Sequence, residues 1–202
     1  MRKKVFALAL VLVFVAACRP RIPIVMRPNF KAQLQKGHEL PNVTPAILFC
    51  KGEFTDKRPD MTKLASLSSD MVTYDLYEER PVADVLFEGL SAAVTASGHK
   101  WSDVPDGEVK VNISFLSLKV AESEGLVVVA TMSAIQVNID FVDAKKGDMI
   151  YTNVFRGNDE RSPLVMSFMR KVTDSIDASI IRCIQSVVDD AELAKALKKF
   201  KG

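Results

Sequence analysis

A chain of 202 residues with 27 basic and 25 acidic side chains and 48% apolar composition is long enough for one domain with a real core. The first 17 residues hold three of the basic side chains, Arg2, Lys3 and Lys4, and no acidic one, so the remaining 185 carry 24 basic against 25 acidic groups and the pI of 8.4 is a property of the leading segment. That balance gives no support to a basic nucleic-acid footprint, and two histidines as far apart as His38 and His99 leave zinc ligation or histidine catalysis almost nothing to use.

After the charged opening, residues 5–14 carry no charge, and the apolar run ends at Cys18 and Arg19. Such a run is a signal h-region behind a basic n-region, too short for a permanent span, which takes about 20 apolar residues. Val15-Ala16-Ala17-Cys18 resembles a bacterial lipobox. That resemblance implies that Cys18 is diacylglycerated on sulfur, that the chain is cut before it, and that the new N-terminus is acylated. Several acyl chains tether a protein firmly where one holds it only marginally. Arg19 in place of an aspartate after the cysteine implies a lipid-anchored protein of the bacterial outer membrane, facing the periplasm. The alternatives are an ordinary secretory signal cut at Ala-x-Ala, or a fortuitous cysteine.

The expected organisation is a signal peptide at 1–17, a lipidated cysteine with a Pro-rich arm at 18–43, and a single domain at 44–202. Prolines 20, 23, 28 and 41 make the arm extended, although Ile22, Ile24, Val25 and Phe30 are apolar enough to pack on the body. Residues 44–54 form an apolar run of strand length, broken by Asp56-Lys57-Arg58-Pro59-Asp60. Residues 71–77 predict a short strand. Pro81 suits the first turn of a helix in which Val82, Leu86, Leu90, Ala93 and Val94 recur at helical spacing, and Gly98 is its natural C-cap.

Val109, Val111, Ile113 and Phe115 alternate with polar residues, then the parity flips to Leu116, Leu118 and Val120. The following strand keeps one parity through Val127, Val129, Ile135, Val137, Ile139 and Phe141. A hairpin of the two keeps its apolar sets on one face only with an extra residue near Phe115 and Leu116, which predicts a β-bulge there. A turn at residues 122–125 then puts Leu118 opposite Val129 and Ile113 opposite Ile135. A second turn at 143–148 leads to a last strand over 149–155, and Ser162-Pro163 starts a long helix. Met169, Val172, Ile176, Ile180, Cys183 and Val187 form its apolar stripe. Asp189-Asp190 offers a cap to a short basic helix over 192–200. The sum is an α+β two-layer sandwich, with two helices packed on one face of a mostly antiparallel sheet.

That order behind a lipobox resembles the YajG-type family of bacterial outer-membrane lipoproteins. The carrying residues are the first strand followed by Asp56-Lys57-Arg58, which matches an Asp-x-Arg; the helix end Ala96-Ser97-Gly98-His99, where the family has a Gly-aromatic pair and this chain has His99; and the central strand started by Gly125. The resemblance spans about residues 45–200 and implies location and fold more than mechanism.

The sequence contains no Gly-x-Ser-x-Gly, no phosphate loop after a strand and no His-x-x-x-His pair, so the expectation is a non-enzyme without cofactor or metal. Glu78-Glu79 and Asp189-Asp190 sit at helix edges, where carboxylates serve as caps. Cys50 and Cys183 are the candidates for a disulfide, in a compartment that permits one, or else are buried free thiols. Asp56 and Arg58 form either a local turn with an ion pair or a recognition patch. Val128, Ala130 and Met132 are apolar on the face of the strand that should be wet, which marks either cover by the arm or a docking surface. The expected partners are the membrane, through the N-terminal lipid anchor, and an envelope protein, with no nucleic acid. The expected role is a non-catalytic binding or assembly module. The alternative is a carrier of an apolar ligand or an auxiliary subunit of envelope transport, in which the stripe from Met169 to Val187 lines a cavity.

Overall fold

A computed structural model describes residues 19–34, 40, 46–69, 72–124, 129–161 and 168–202. The main sheet is built from β2 (Leu48–Asp56), β5 (Lys100–Ser102), β6 (Val109–Glu124), β7 (Val129–Asp143) and β8 (Met149–Arg161) in the order β5-β2-β6-β7-β8. β2 runs parallel to both β5 and β6, while β6, β7 and β8 form an antiparallel meander. The sheet is therefore mixed, which corrects the expectation of a mostly antiparallel one. A parallel pair needs a long crossover. Residues 57–99 supply it here, and no local pattern in β2 or β6 reveals it.

A second sheet was absent from the expectation altogether. In it β1 (Arg21–Ile24) runs parallel to β4 (Val72–Glu78), which pairs antiparallel with β3 (Ala65–Ser69). The two-layer description thus leaves out a whole element of the architecture. β1 belongs to the Pro-rich arm. It is an edge strand, where Pro23 costs no ladder bond, and downstream of it Met26, Phe30 and Leu40 are buried along with its own Ile24.

Helix α1 (Val82–Ala96) follows Pro81 and ends in a Schellman motif. His99 N–H donates to Val94 O at 3.2 Å and Gly98 N–H to Thr95 O at 3.1 Å, with Gly98 at φ 79°. Helix α2 (Phe168–Val188) packs on β7 and β8. Its stripe residues Val172, Ile176, Ile180, Cys183 and Val187 are all buried, as are Ile135, Val137, Ile139 and Phe141 on β7. Ser162-Pro163, the expected start of this helix, lies outside the described residues. Helix α3 (Ala191–Lys201) is capped by Asp190, whose side chain accepts from the Glu192 and Leu193 N–H groups, as its sequence position suggested. The other Asp190 oxygen accepts from Tyr151 Oη at 2.7 Å and Asn153 Nδ2 at 2.9 Å, so the cap also fastens the helix to β8. At its far end Lys201 Nζ reaches Glu108 Oε1 at 2.7 Å.

The β6–β7 register shifts between Phe115 and Ser117, leaving Leu116 as the extra residue of the expected bulge. The pairing itself is Leu118 with Ile135 and Ile113 with Ile139, not with Val129 and Ile135. The ladder extends to Glu124 and Val129, so the reversal falls beyond residue 124, and moving a turn along the chain shifts the opposing residue by twice the distance. β8 also runs to Arg161 instead of stopping at Phe155. Its polar second half is tolerated because Asp159, although buried, is paired with Arg161 at 2.8 Å and Arg182 at 2.9 Å.

Candidate functional site

The structure does not bring the expected binding residues together. Asp56 is opposite Phe115 on β6, whereas Met132 is opposite Ala121, six residues further along the same strand, or roughly 20 Å. Cys18 and Val128 lie outside the described residues.

Asp56 and Arg58 do meet each other. Arg58 Nε donates to both Asp56 carboxylate oxygens at 2.9 and 3.1 Å, and Nη1 donates to the carbonyls of Lys63 and Leu64 at 2.8 and 2.7 Å. The guanidinium carbon lies 4.6 Å above the Phe115 ring, and the side chain is only 7% exposed. The Arg58 hydrogen bonds hold the Asp56 carboxyl below the usual carboxylate range. Arg58 therefore ties the end of β2 to the start of β3, joining the two sheets. Its planar fork suits this task, because it reaches a carboxylate and two carbonyls at once.

Cys50 and Cys183 are both buried and free, so no bridge forms between them. Cys50 alternates with Phe49, which faces Phe141 in the core, and packs beneath Gly107. Cys183 belongs to α2 above Gly157 of β8. Two strands, β6 and β7, separate β2 from β8, roughly 14 Å across the sheet and beyond the reach of a disulfide. Burial pushes the Cys183 thiol up to about 12, so it is an inert core group.

Met132 is half-buried on the outer face of the meander. With Ala121 and Ala134 it floors a groove of about 430 Å³, rimmed by Lys119, Glu160 and Arg182. Ala130, by contrast, is buried. The polar groups beneath the groove are committed to one another. Ser133 Oγ donates to Ser175 O at 2.7 Å and meets Ser175 Oγ at 2.9 Å, and Asp159 is held by its two arginines. The groove thus offers apolar area and charges of both signs for binding. Among the described residues no group of three or more His, Cys, Asp and Glu could hold a metal, and no helix is long and apolar enough to cross a membrane.

One cluster escaped sequence reasoning. Both oxygens of Asp177, on α2, accept from the Arg27 backbone N–H at 3.1 Å, clasping the arm to the helix. The available signal was an acid placed off the apolar stripe, but nothing in the pattern of α2 points to residue 27. Burial above all, with the Asp174 charge added, raises the Asp177 pKa to about 6 against the opposing Arg27 hydrogen bond, Arg161 and Arg80. A carboxyl whose pKa rises on folding stabilises the fold below its ordinary 3.8 and loses that contribution as pH rises through about 6. Asp177→Asn keeps an acceptor for Arg27 without the charge. Urea titrations of this variant will show higher stability than the parent at pH 7.5, and a flatter dependence between pH 4 and 6.5.

Residues 51–198 match the family model Lipoprotein_16, described as an uncharacterized lipoprotein. No curated protein matches the chain by sequence. Among solved structures, the fold is shared with protein XCC0632 from Xanthomonas campestris, at TM-score 0.58 and 11% identity over 89% of this chain and 98% of that one. It is similar as well to a putative neuraminyllactose-binding hemagglutinin homolog from Helicobacter pylori, at TM-score 0.50 and 11% identity over 83% and 95%. A putative lipoprotein from Caulobacter crescentus aligns at TM-score 0.41 and 13% identity over 65% and 88%.

Proposed function

Because the chain belongs to the Lipoprotein_16 family of uncharacterized lipoproteins, we infer that it is anchored through acylated Cys18 to the periplasmic face of the bacterial outer membrane and works there as a non-catalytic binding module for an envelope protein. The observation that carries this reading is the groove around Met132, with its apolar floor, mixed-charge rim and polar neighbours already bonded to each other. Such a surface suits a segment of protein that supplies both an apolar side chain and charges. The lipobox resemblance and the membership in a lipoprotein family support the anchor. The alternative carrier role needs space between α2 and the sheet, and there Gly157 meets the α2 backbone directly, with the stripe packed as core.

Two measurements test the reading. Intact mass of the protein from its native host will show a mature chain starting at Cys18 with acyl groups attached, and Cys18→Ala will lose both that mass and retention in the detergent phase. A photo-crosslinking residue at Met132 will capture one envelope protein, while the same probe at Thr152, exposed lower on the same meander, will not. A mature chain with an unmodified Cys18 overturns the anchor, and equal crosslinking at both positions overturns the groove.

A further inference from the structure

The arm leaves almost no slack between Cys18 and the folded body. Pro20 O already accepts the Asp75 N–H at 3.0 Å, and Arg21 is in register with Asp75. Only Arg19 separates Pro20 from Cys18, two residue steps or at most about 7 Å of chain. Because β1 and β4 are parallel, the chain entering β1 runs alongside the chain entering β4. The first residue of β4, Val72, three residues before Asp75 or about 10 Å away, therefore lies at the end of the sheet where the chain enters β1. Val72 is one of the few large apolar side chains in the described structure that is exposed, at 39%. Arg19, next to the lipidation position, has a side chain 54% exposed and lies 3.7 Å from Asp75.

We propose that the end of the small sheet formed by Arg19 and Val72 lies in the headgroup region of the lipid leaflet, so that the body is held against the membrane in one orientation and does not swing on a linker. This deepens the reading above and rests on acylation of Cys18. The acyl chains supply the affinity, and the laddered β1 passes their position to the rest of the fold. Val72 enters the apolar boundary and Arg19 meets lipid phosphates, as at other interfacial contacts. Met61 is also exposed, at 65%, but lies four residues before Ala65, which pairs with Leu76, four residues along β4 from Val72.

The test uses the full acylated chain in a Trp101→Phe background, reconstituted into phosphatidylethanolamine and phosphatidylglycerol vesicles that contain brominated lipid. Its intact mass is measured first. With acyl groups present, Val72→Trp will emit at shorter wavelength than in detergent-free buffer and lose most of its emission to bromine, while Met61→Trp will lose little. Ser68→Trp, one rung further into the same end of the sheet, gives a second probe and will be quenched to an intermediate degree. Equal quenching at Val72 and Met61, or stronger quenching at Met61, overturns the orientation and leaves the anchor standing. A mass without acyl groups overturns the anchor and this proposal with it, and it does so before any vesicle is made.

Discussion

Gly157→Ala will destabilise the protein by about 3 kcal/mol or more, the upper range for overpacking a well-filled core. A Cβ at Gly157 would sit 1.8 Å from Ser179 O and 2.5 Å from Cys183 N, both backbone atoms of one turn of α2. A flexible side chain could swing away from such a contact, but a helix turn cannot. Relief would lift the buried Val172, Ile176, Ile180, Cys183 and Val187 stripe off β7 and β8. Gly147→Ala is the comparison. Gly147 has φ 78° and nothing within 4 Å of its would-be Cβ, so its substitution carries only the left-handed backbone penalty of about 1 kcal/mol. Urea midpoints of the two variants will separate clearly, with Gly157→Ala also speeding amide exchange in α2. Equal midpoints would mean that α2 does not approach β8 this closely.

Arg58→Ala will cost about 3 kcal/mol, comparable to breaking other buried ion pairs. It leaves Asp56 without its main counter-charge, strips the Lys63 and Leu64 carbonyls of a donor, and uncovers the Phe115 ring. Arg58→Lys will recover little, because one ammonium cannot serve the carboxylate and both carbonyls. The charge contribution has a definite pH sense. Asp56 is held below its ordinary 3.8 in the fold, so its stabilisation is present above that value and lost as pH falls through the lowered one. The parent will therefore lose stability in acid more steeply than Arg58→Ala does. Asp56→Asn combined with Arg58→Ala will be less damaging than the sum of the two singly, since each removes the other's partner. Simple additivity in that cycle would show that the two side chains act separately.

Both positions are junctions. Gly157 sets how closely helix and sheet approach, and Arg58 sets how the small sheet is held to the large one. Neither role is visible in the residue alone. Gly157 sits in a polar stretch, and its requirement comes from a helix turn more than 20 residues away in the chain. Arg58 could be paired with Asp56 by proximity, but its carbonyl partners depend on how residues 59–64 fold back.

What the sequence determined by itself was whatever depends on neighbours within a few residues. Alternation along 109–120 located the bulge at Leu116, helical spacing found α1 and the stripe of α2, and Gly98 and Asp190 marked a helix end and a helix start. Period and capping are local physics, carried by the residues that show them. Tertiary structure alone decided the rest. β1, β3 and β5 are only four, five and three residues long, too short to show a period, and they exist because a neighbouring strand completes their hydrogen bonds. The parallel pairing of β2, the β6–β7 register, the burial of the Pro-rich arm against Asp177 and the separation of Cys50 from Cys183 all join residues distant in the chain. Such contacts are chosen by which arrangement buries the most apolar surface with its polar groups bonded, a property of the whole packed chain and of no single segment.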